Sequence, residues 1–238
     1  MVEIENTGER ILLEKETPLM IARHFCAYKF ARVYSSGKEV LDIGCGEGYG
    51  SGFLAEVAKG VLGIDYDAAI IDYAKDKYHK ENLKFSCLNV DNLGSLTRKF
   101  DLICSFQNIE HIRDAHKLLK NITNLLKEGG IFICSTCNIK DASPGRESPF
   151  NKFHVKEYLA SEFKELLQGH FKKVEIFGLR RGMALRFNRR LKKIGLFKFL
   201  PDKLDPVKKF FVKANCSYFS WTRKDLDNCL DFIAVCNE

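Results

Sequence analysis

Val40-Leu41-Asp42-Ile43-Gly44-Cys45-Gly46-Glu47-Gly48-Tyr49-Gly50 is the stretch whose reading decides the fold. The run from Lys38 to Ile43 reads as a buried strand. It breaks into a glycine turn, and a helix is predicted beyond it over 49–59. Only glycine lets a backbone fold this tightly and lets a ligand approach the main chain with no Cβ in the way. The start of the helix would aim unpaired N–H groups and its positive dipole end at the same space. A nucleotide-like ligand is therefore expected above the turn.

Spacing narrows the ligand. The dinucleotide fingerprint G-x-G-x-x-G binds a pyrophosphate. Counted from Gly44, its third glycine falls where Tyr49 stands. The chain instead reads G-x-G-x-G, with Asp42 just before it. This resembles motif I of the class I S-adenosylmethionine (SAM)-dependent methyltransferases. The resemblance implies SAM as cofactor. SAM carries no phosphate, and a glycine turn flanked by carboxylates suits it better than a phosphate cradle.

Outward from this stretch, strands and helices alternate. Thr17-Pro18 reads as an N-cap with proline at the first helical position, opening a helix to about Tyr34. Its one-sided face is marked by Ile21, Phe25, Tyr28 and Ala31/Arg32. Further strands are predicted at 61–65, 83–88, 100–105, 131–136, 173–177 and 230–236. Helices are predicted over 68–79, along the stripe Ala115, Leu118, Leu119, Ile122, Leu125, Leu126, and from Ser161 to Leu167. Gly129-Gly130 is read as the stop of the second of these. The expected fold is α/β: a doubly wound, seven-stranded Rossmann-like sheet in a three-layer αβα sandwich. The strands are parallel except for an antiparallel last one. The expected organisation is a helical cap (1–36), a SAM-binding core (37–179), a basic insertion or lid (180–225) and the last core strand (226–238).

Composition sets outer limits. With 45% hydrophobic and 29% charged residues the 238-residue chain reads as globular. No apolar run reaches the roughly 18 residues of a membrane span. The N-terminus is polar, without a signal-peptide pattern. Nine cysteines, an odd number, fall partly in apparent core strands (Cys87, Cys104, Cys134, Cys236), which favours reduced thiols and a cytoplasmic setting. Cys134 and Cys137 form a lone C-x-x-C without the second ligand pair that a zinc site needs.

In doubly wound sheets ligands bind at the carboxyl ends of the strands, so the polar residues there should form one site. Asp65 ends the second strand 21 positions after Gly44 and can accept hydrogen bonds from both ribose hydroxyls. Tyr66 can stack on adenine. Asn89-Val90-Asp91 follows the third strand. Methyltransferases often carry an aspartate where Asn89 aligns, so whether Asn89 or Asp91 contacts adenine stays open. The Phe100–His111 segment, with Phe106-Gln107-Asn108-Ile109-Glu110-His111, resembles the F-D-x-I-x-S-F-E-x-I-E-H segment of small-molecule methyltransferases of the type 11-like group. Leu125–Gly130 and Ser135-Thr136-Cys137-Asn138 resemble that group's later landmarks. Asn151-Lys152-Phe153-His154-Val155-Lys156-Glu157, with Glu162-Phe163, resembles the N-P-F-H-V-x-E…E-F signature of a bacterial subgroup associated with sugars and glycan precursors. Gly8-Glu9-Arg10, His24 and Tyr28 resemble that subgroup's N-terminus. The cofactor-binding set expected is Asp42, Gly44, Cys45, Gly46, Asp65, Tyr66, Asn89, Val90, Asp91, Phe106 and Tyr28.

The resemblance implies methyl transfer. The cofactor brings the electrophile, and the protein aligns the acceptor and excludes water. A hydroxyl or protonated amine needs a base, for which His111 and His154 are the candidates. Glu110 is read as structural. Some related quinone-pathway O-methyltransferases bind a metal through acids and the histidine of this segment. Gln107 replaces one of those acids, and a neutral amide is a poorer ligand for a hard cation, so no metal is expected. The [D/N]-P-P-[Y/F] turn of adenine- and glutamine-methylating enzymes is missing at Ser105–Asn108.

The resemblance does not reach the segment from Arg180 to Lys213. Twelve Arg and Lys residues there face only Asp202 and Asp205, an excess larger than the chain's net +7. Met183 to Leu200 reads as a basic amphipathic helix. It fits a lid over an anionic acceptor, contact with an anionic membrane through 183–213, nucleic-acid binding, or a plain solvated face. The reading carried forward is a SAM-dependent methyltransferase of a small-molecule or glycan-type acceptor. RNA modification or SAM binding without turnover are its alternatives.

Overall fold

A computed structural model describes residues 11–195, 197, 199–201 and 203–237; Gly8-Glu9-Arg10 lie outside them. The chain runs α1 (Pro18–Ser35), β1 (Glu39–Ile43), α2 (Tyr49–Leu54), β2 (Gly60–Asp65), α3 (Ala68–Lys77), β3 (Leu83–Cys87), β4 (Phe100–Phe106), α4 (Ala115–Leu125), β5 (Leu126–Cys137), α5 (Ile139–Ala142), α6 (Ala160–Gln168), β6 (Lys173–Arg181), α7 (Met183–Ile194), α8 (Pro206–Val212), β7 (Phe219–Thr222) and β8 (Asp231–Asn237). The caps are those the residue types favour. Thr17 accepts from the Met20 amide before Pro18, Asp67 caps α3, Asp114 caps α4 and Asp205 caps α8.

All eight strands form one sheet in the order β3-β2-β1-β4-β5-β8-β6-β7. The pairs from β3 to β5 are parallel, and β8 runs antiparallel to both β5 and β6. Alternate side chains build two cores. Leu41, Ile103, Phe132 and Phe232 pack with α4 and α6 on one face. Val40, Leu102, Ile133 and Ile233 pack with α1, α2 and α3 on the other. This is the three-layer Rossmann-like arrangement expected. The chain leaves β1 for β2 and β3, then returns to the far side of β1 as β4. That reversal opens a crevice at the carboxyl ends of β1 and β4.

Several expectations need correction. The sheet has eight strands, not seven: Phe219–Thr222, inside the basic segment, pairs with β6 through Arg181–Phe219 and Gly178–Thr222. Gly129-Gly130 does not stop α4. The helix ends at Leu125 because Leu126 already pairs with Phe100, and the glycines fall where the register shifts before Leu102 meets Ile131. α2 stops at Leu54 rather than Lys59. α6 begins at Ala160, where Glu162 Oε2 accepts from the Leu159 amide at 2.8 Å. α1 buries a row of small residues, Ala22, Cys26, Ala27 and Ala31, together with Tyr28, while Ile21 and Phe25 are only half-buried. Ala27 and Ala31 pack in the cluster that holds Leu54 of the glycine-rich α2, and Ala22 and Cys26 pack with Leu179 and Leu185. Cys87 is exposed rather than part of the core, and all nine cysteines are free thiols.

Candidate active site

A cavity of about 890 Å³ opens at the crevice. It is lined by Gly44, Cys45 and Gly46 after β1, Asp65 at the end of β2 with Tyr66 after it, and Asn89, Val90 and Asp91 after β3. Phe106 ends β4 and His111 follows it, Tyr28 and His24 come from α1, and His154 comes from the loop after α5. Of the residues expected at the cofactor, Asp42 alone does not line the cavity. It lies fully buried beneath the turn. Ser51 Oγ donates to its carboxylate at 2.6 Å and the Tyr28 hydroxyl at 3.3 Å. Burial pushes its carboxyl up to about 6, although the bonds from Ser51 and Tyr28 pull the other way. Asp42 thus anchors the residues that shape the floor.

The turn itself shows why glycine is needed at two positions. Gly46 adopts φ +52° with open space where a Cβ would stand, so its backbone is bare toward the cavity. Gly50 lies under the Tyr28 ring, and a Cβ there would come within 2.0 Å of Tyr28 Cζ. The ring of Tyr28 then meets Phe106 edge-on at 4.9 Å between centroids. Asp65 closes the turn from the neighbouring strand tip. Its Oδ2 accepts from the Gly46 amide and its Oδ1 from the Asp67 amide, both at 3.1 Å. A bare main chain, a carboxylate at the adjoining tip and an aromatic floor fit a nucleoside cofactor. The volume is at the upper end of small-molecule sites, room for a cofactor and part of an acceptor. At β3 the Asn89 side-chain oxygen accepts from the Asp91 amide at 2.9 Å. Asp91 has an exposed side chain 3.6 Å from Lys117. Of the two, Asn89 is the more firmly oriented.

The two histidines meet. Their rings lie edge to face, with centroids 4.8 Å apart. His111 Nδ1 lies 3.0 Å from the Phe153 carbonyl, which accepts from an Nδ1–H tautomer. The main-chain oxygen of Glu110 accepts from the Val155 and Lys156 amides at 2.7 and 3.2 Å. The turn after β4 therefore pins the 151–157 loop over the cavity. His154 is held differently. Its Nδ1 lies 2.7 Å from Glu157 Oε1 and its Nε2 3.1 Å from the Asn151 amide nitrogen. Nδ1 then carries the proton, and the Asn151 amide occupies Nε2. Both candidates line the cavity, and His154 is held in place by Asn151 and Glu157. Burial pushes the Glu110 carboxyl up to about 8, and the Thr136 hydroxyl donates to it at 3.1 Å. Donor atoms of Glu110, Cys137 and His154 lie within 4.8 Å of one another, and this set could hold a metal ion only if His154 gave up one of its two bonds.

Four further residues line the site without a catalytic or cofactor role expected from the sequence. Arg23 grips Asp231 with two bonds, 2.7 and 2.6 Å, and lies 3.8 Å from Asp141. Asn151 and Glu157 hold His154. Their three-residue spacing around it was the available signal. Gln107 adopts φ +48°, uncommon without glycine, and its amide donates to the Ser135 carbonyl at 3.0 Å. Beside this cavity a broader one of about 1900 Å³ lies between α7 and α8, lined by Arg186, Arg189, Arg190 and Lys208 among others. Asp141, on the wall of the first, pairs with Arg181, on the wall of the second, at 2.9 Å.

Comparison with known proteins agrees with this geometry. A protein of Mycolicibacterium smegmatis described as "Probable S-adenosylmethionine-dependent methyltransferase" is 36% identical over 164 residues, 68% of this chain and 63% of its own. A Mycobacterium tuberculosis protein of the same description is 32% identical over 182 residues, 76% of this chain and 66% of its own. The chain thus spans less than two thirds of either relative. The fold is that of a SAM-dependent methyltransferase from Archaeoglobus fulgidus, with a TM-score of 0.61 at 15% identity over 90% of this chain and 94% of that one. Residues 34–177 match the family described as "Methyltransferase domain". The chain belongs to that family, the SAM-dependent methyltransferases of the class I fold.

Proposed function

We propose that the chain transfers the methyl group of SAM to a small glycan-type acceptor bearing a phosphate or pyrophosphate, such as a nucleotide- or lipid-linked sugar, at a hydroxyl or amine. One observation carries the acceptor half. The cofactor-sized cavity adjoins a broad basic groove, and the ion pair Asp141–Arg181 joins their walls. A group anchored by its phosphates on Arg186 and Arg189 can extend its sugar toward His111. The likeness of Asn151–Glu157 to the glycan-associated signature supports the same reading.

SAM supplies an activated methyl on a sulfonium. The chain's own groups do the rest. Asp65 accepts from ribose hydroxyls, Tyr66 and Phe106 flank the nucleoside, and Asn89 presents its amide to the base. His111, on the cavity wall, takes the acceptor's proton. His154, fixed by Asn151 and Glu157, holds the loop that excludes water. In this reading 180–225 is the acceptor-side lid on a core of 37–179 and 226–238, with 1–36 as a cap. The free cysteines support a reducing, cytoplasmic setting. No described helix is long and apolar enough to cross a membrane.

Radiolabelled SAM, offered with sugars and with the same sugars carried on a diphosphate, tests the proposal. Label should enter only the phosphorylated acceptors, and Arg186→Gln/Arg189→Gln should raise KM about ten-fold while leaving SAM affinity unchanged. Equal labelling of neutral sugars, or preferential labelling of RNA, would overturn the acceptor assignment.

A further inference from the structure

The apolar stripe on the outward face of α7 has no use in the chemistry above. Met183, Phe187 and Ile194 stand at helical positions i, i+4 and i+11, which share one side, and are 80%, 61% and 70% exposed. Leu185, half a turn away, is buried and fixes which side faces in. Beyond the helix, Phe199 and Leu204 are exposed as well. Further basic residues lie beside this stripe: Arg190 and Lys193 on α7, with Lys208 and Lys209 on α8 along the same groove. Asp205, whose Oδ1 accepts from the Val207 and Lys208 amides, is a single carboxylate beside several cations.

We propose that this face docks on an anionic lipid bilayer, with Phe187 and Ile194 inserted among the acyl chains and the flanking Arg and Lys at the headgroups. The combination selects the occupant. A membrane surface satisfies protruding apolar side chains and a basic rim together. A polyanion such as RNA pairs with the rim but leaves the aliphatic stripe in water. A second copy of the chain would bring like charge against like charge at every flank. The inference holds whichever acceptor the active site takes. It orients the groove between α7 and α8 toward the bilayer, within reach of acceptors carried there.

Vesicle flotation of the full chain is the test, with phosphatidylcholine alone and mixed with phosphatidylglycerol at physiological salt. The wild type should float with the anionic vesicles alone and be released by high salt. Phe187→Glu/Ile194→Glu should lower the partition more than about ten-fold. The variant should bind S-adenosylhomocysteine as the wild type does, because neither residue lines a cavity. Failure of the wild type to float would overturn the proposal, as would a double variant that floats equally well. So would a wild-type dimer in light scattering that the double variant turns into monomer, since the stripe would then be a protein interface.

Discussion

Asp65→Asn removes one charge and one acceptor from the tip of β2. Its two carboxylate oxygens each take a main-chain N–H, those of Gly46 and Asp67, at 3.1 Å. Asparagine offers one acceptor oxygen and one NH2 donor. Whichever way the amide is turned, one of these N–H groups faces another donor. Losing a charge-assisted bond and leaving its partner unpaired costs about 2 kcal/mol, which in a chain this size lowers Tm by about 4–8 °C. The bonds to ribose expected of Asp65 should weaken by a similar amount, raising the Kd for S-adenosylhomocysteine roughly 30-fold. Isothermal titration, paired with a melt of the unliganded variant, separates the two effects. A Kd within about three-fold of wild type would refute the role given to Asp65.

Two further perturbations probe the floor and the loop clip. Gly50→Ala drives a Cβ into the Tyr28 ring and pulls its hydroxyl from Asp42. A loss of about 3 kcal/mol in denaturant unfolding is expected, and an unchanged midpoint would show that Tyr28 does not pack where described. Glu110 titrates at about 8 in the folded chain against 4.5 ordinarily, so the native state holds its proton over that interval. The Glu110 contribution to stability is therefore greatest below pH 4.5, falls as pH rises toward 8 and levels off above it. Glu110→Gln keeps a neutral side chain throughout, so its Tm minus that of wild type should grow between those pH values. Parallel curves would contradict the burial argument.

Much of the fold was legible because its signals are local. Short apolar runs ending in Asp42-Ile43-Gly44 and Ile64-Asp65 mark strands whose tips carry function, and α4 shows a clean stripe. The failures were tertiary. Phe219-Ser220-Trp221-Thr222 becomes a strand only because β6 offers it an edge. Gly129-Gly130 looks like a helix stop, but Leu126 is claimed first by pairing with Phe100. In the site, Asp65 and the glycines announce themselves by spacing. The left-handed Gln107 gives no compositional hint, because its conformation is imposed by Ser135. Asp42 reads as a cofactor contact in the sequence because the residues that cover it, Tyr28 and Ser51, come from two different helices.

A crystal structure with S-adenosylhomocysteine tests the central claim most directly. The account predicts the ribose hydroxyls within hydrogen-bond reach of Asp65, the main chain of Gly46 against the ligand, and the sulfur turned toward the side of the cavity that holds His111. Ligand density elsewhere, or in this cavity with the ribose away from Asp65, would contradict it.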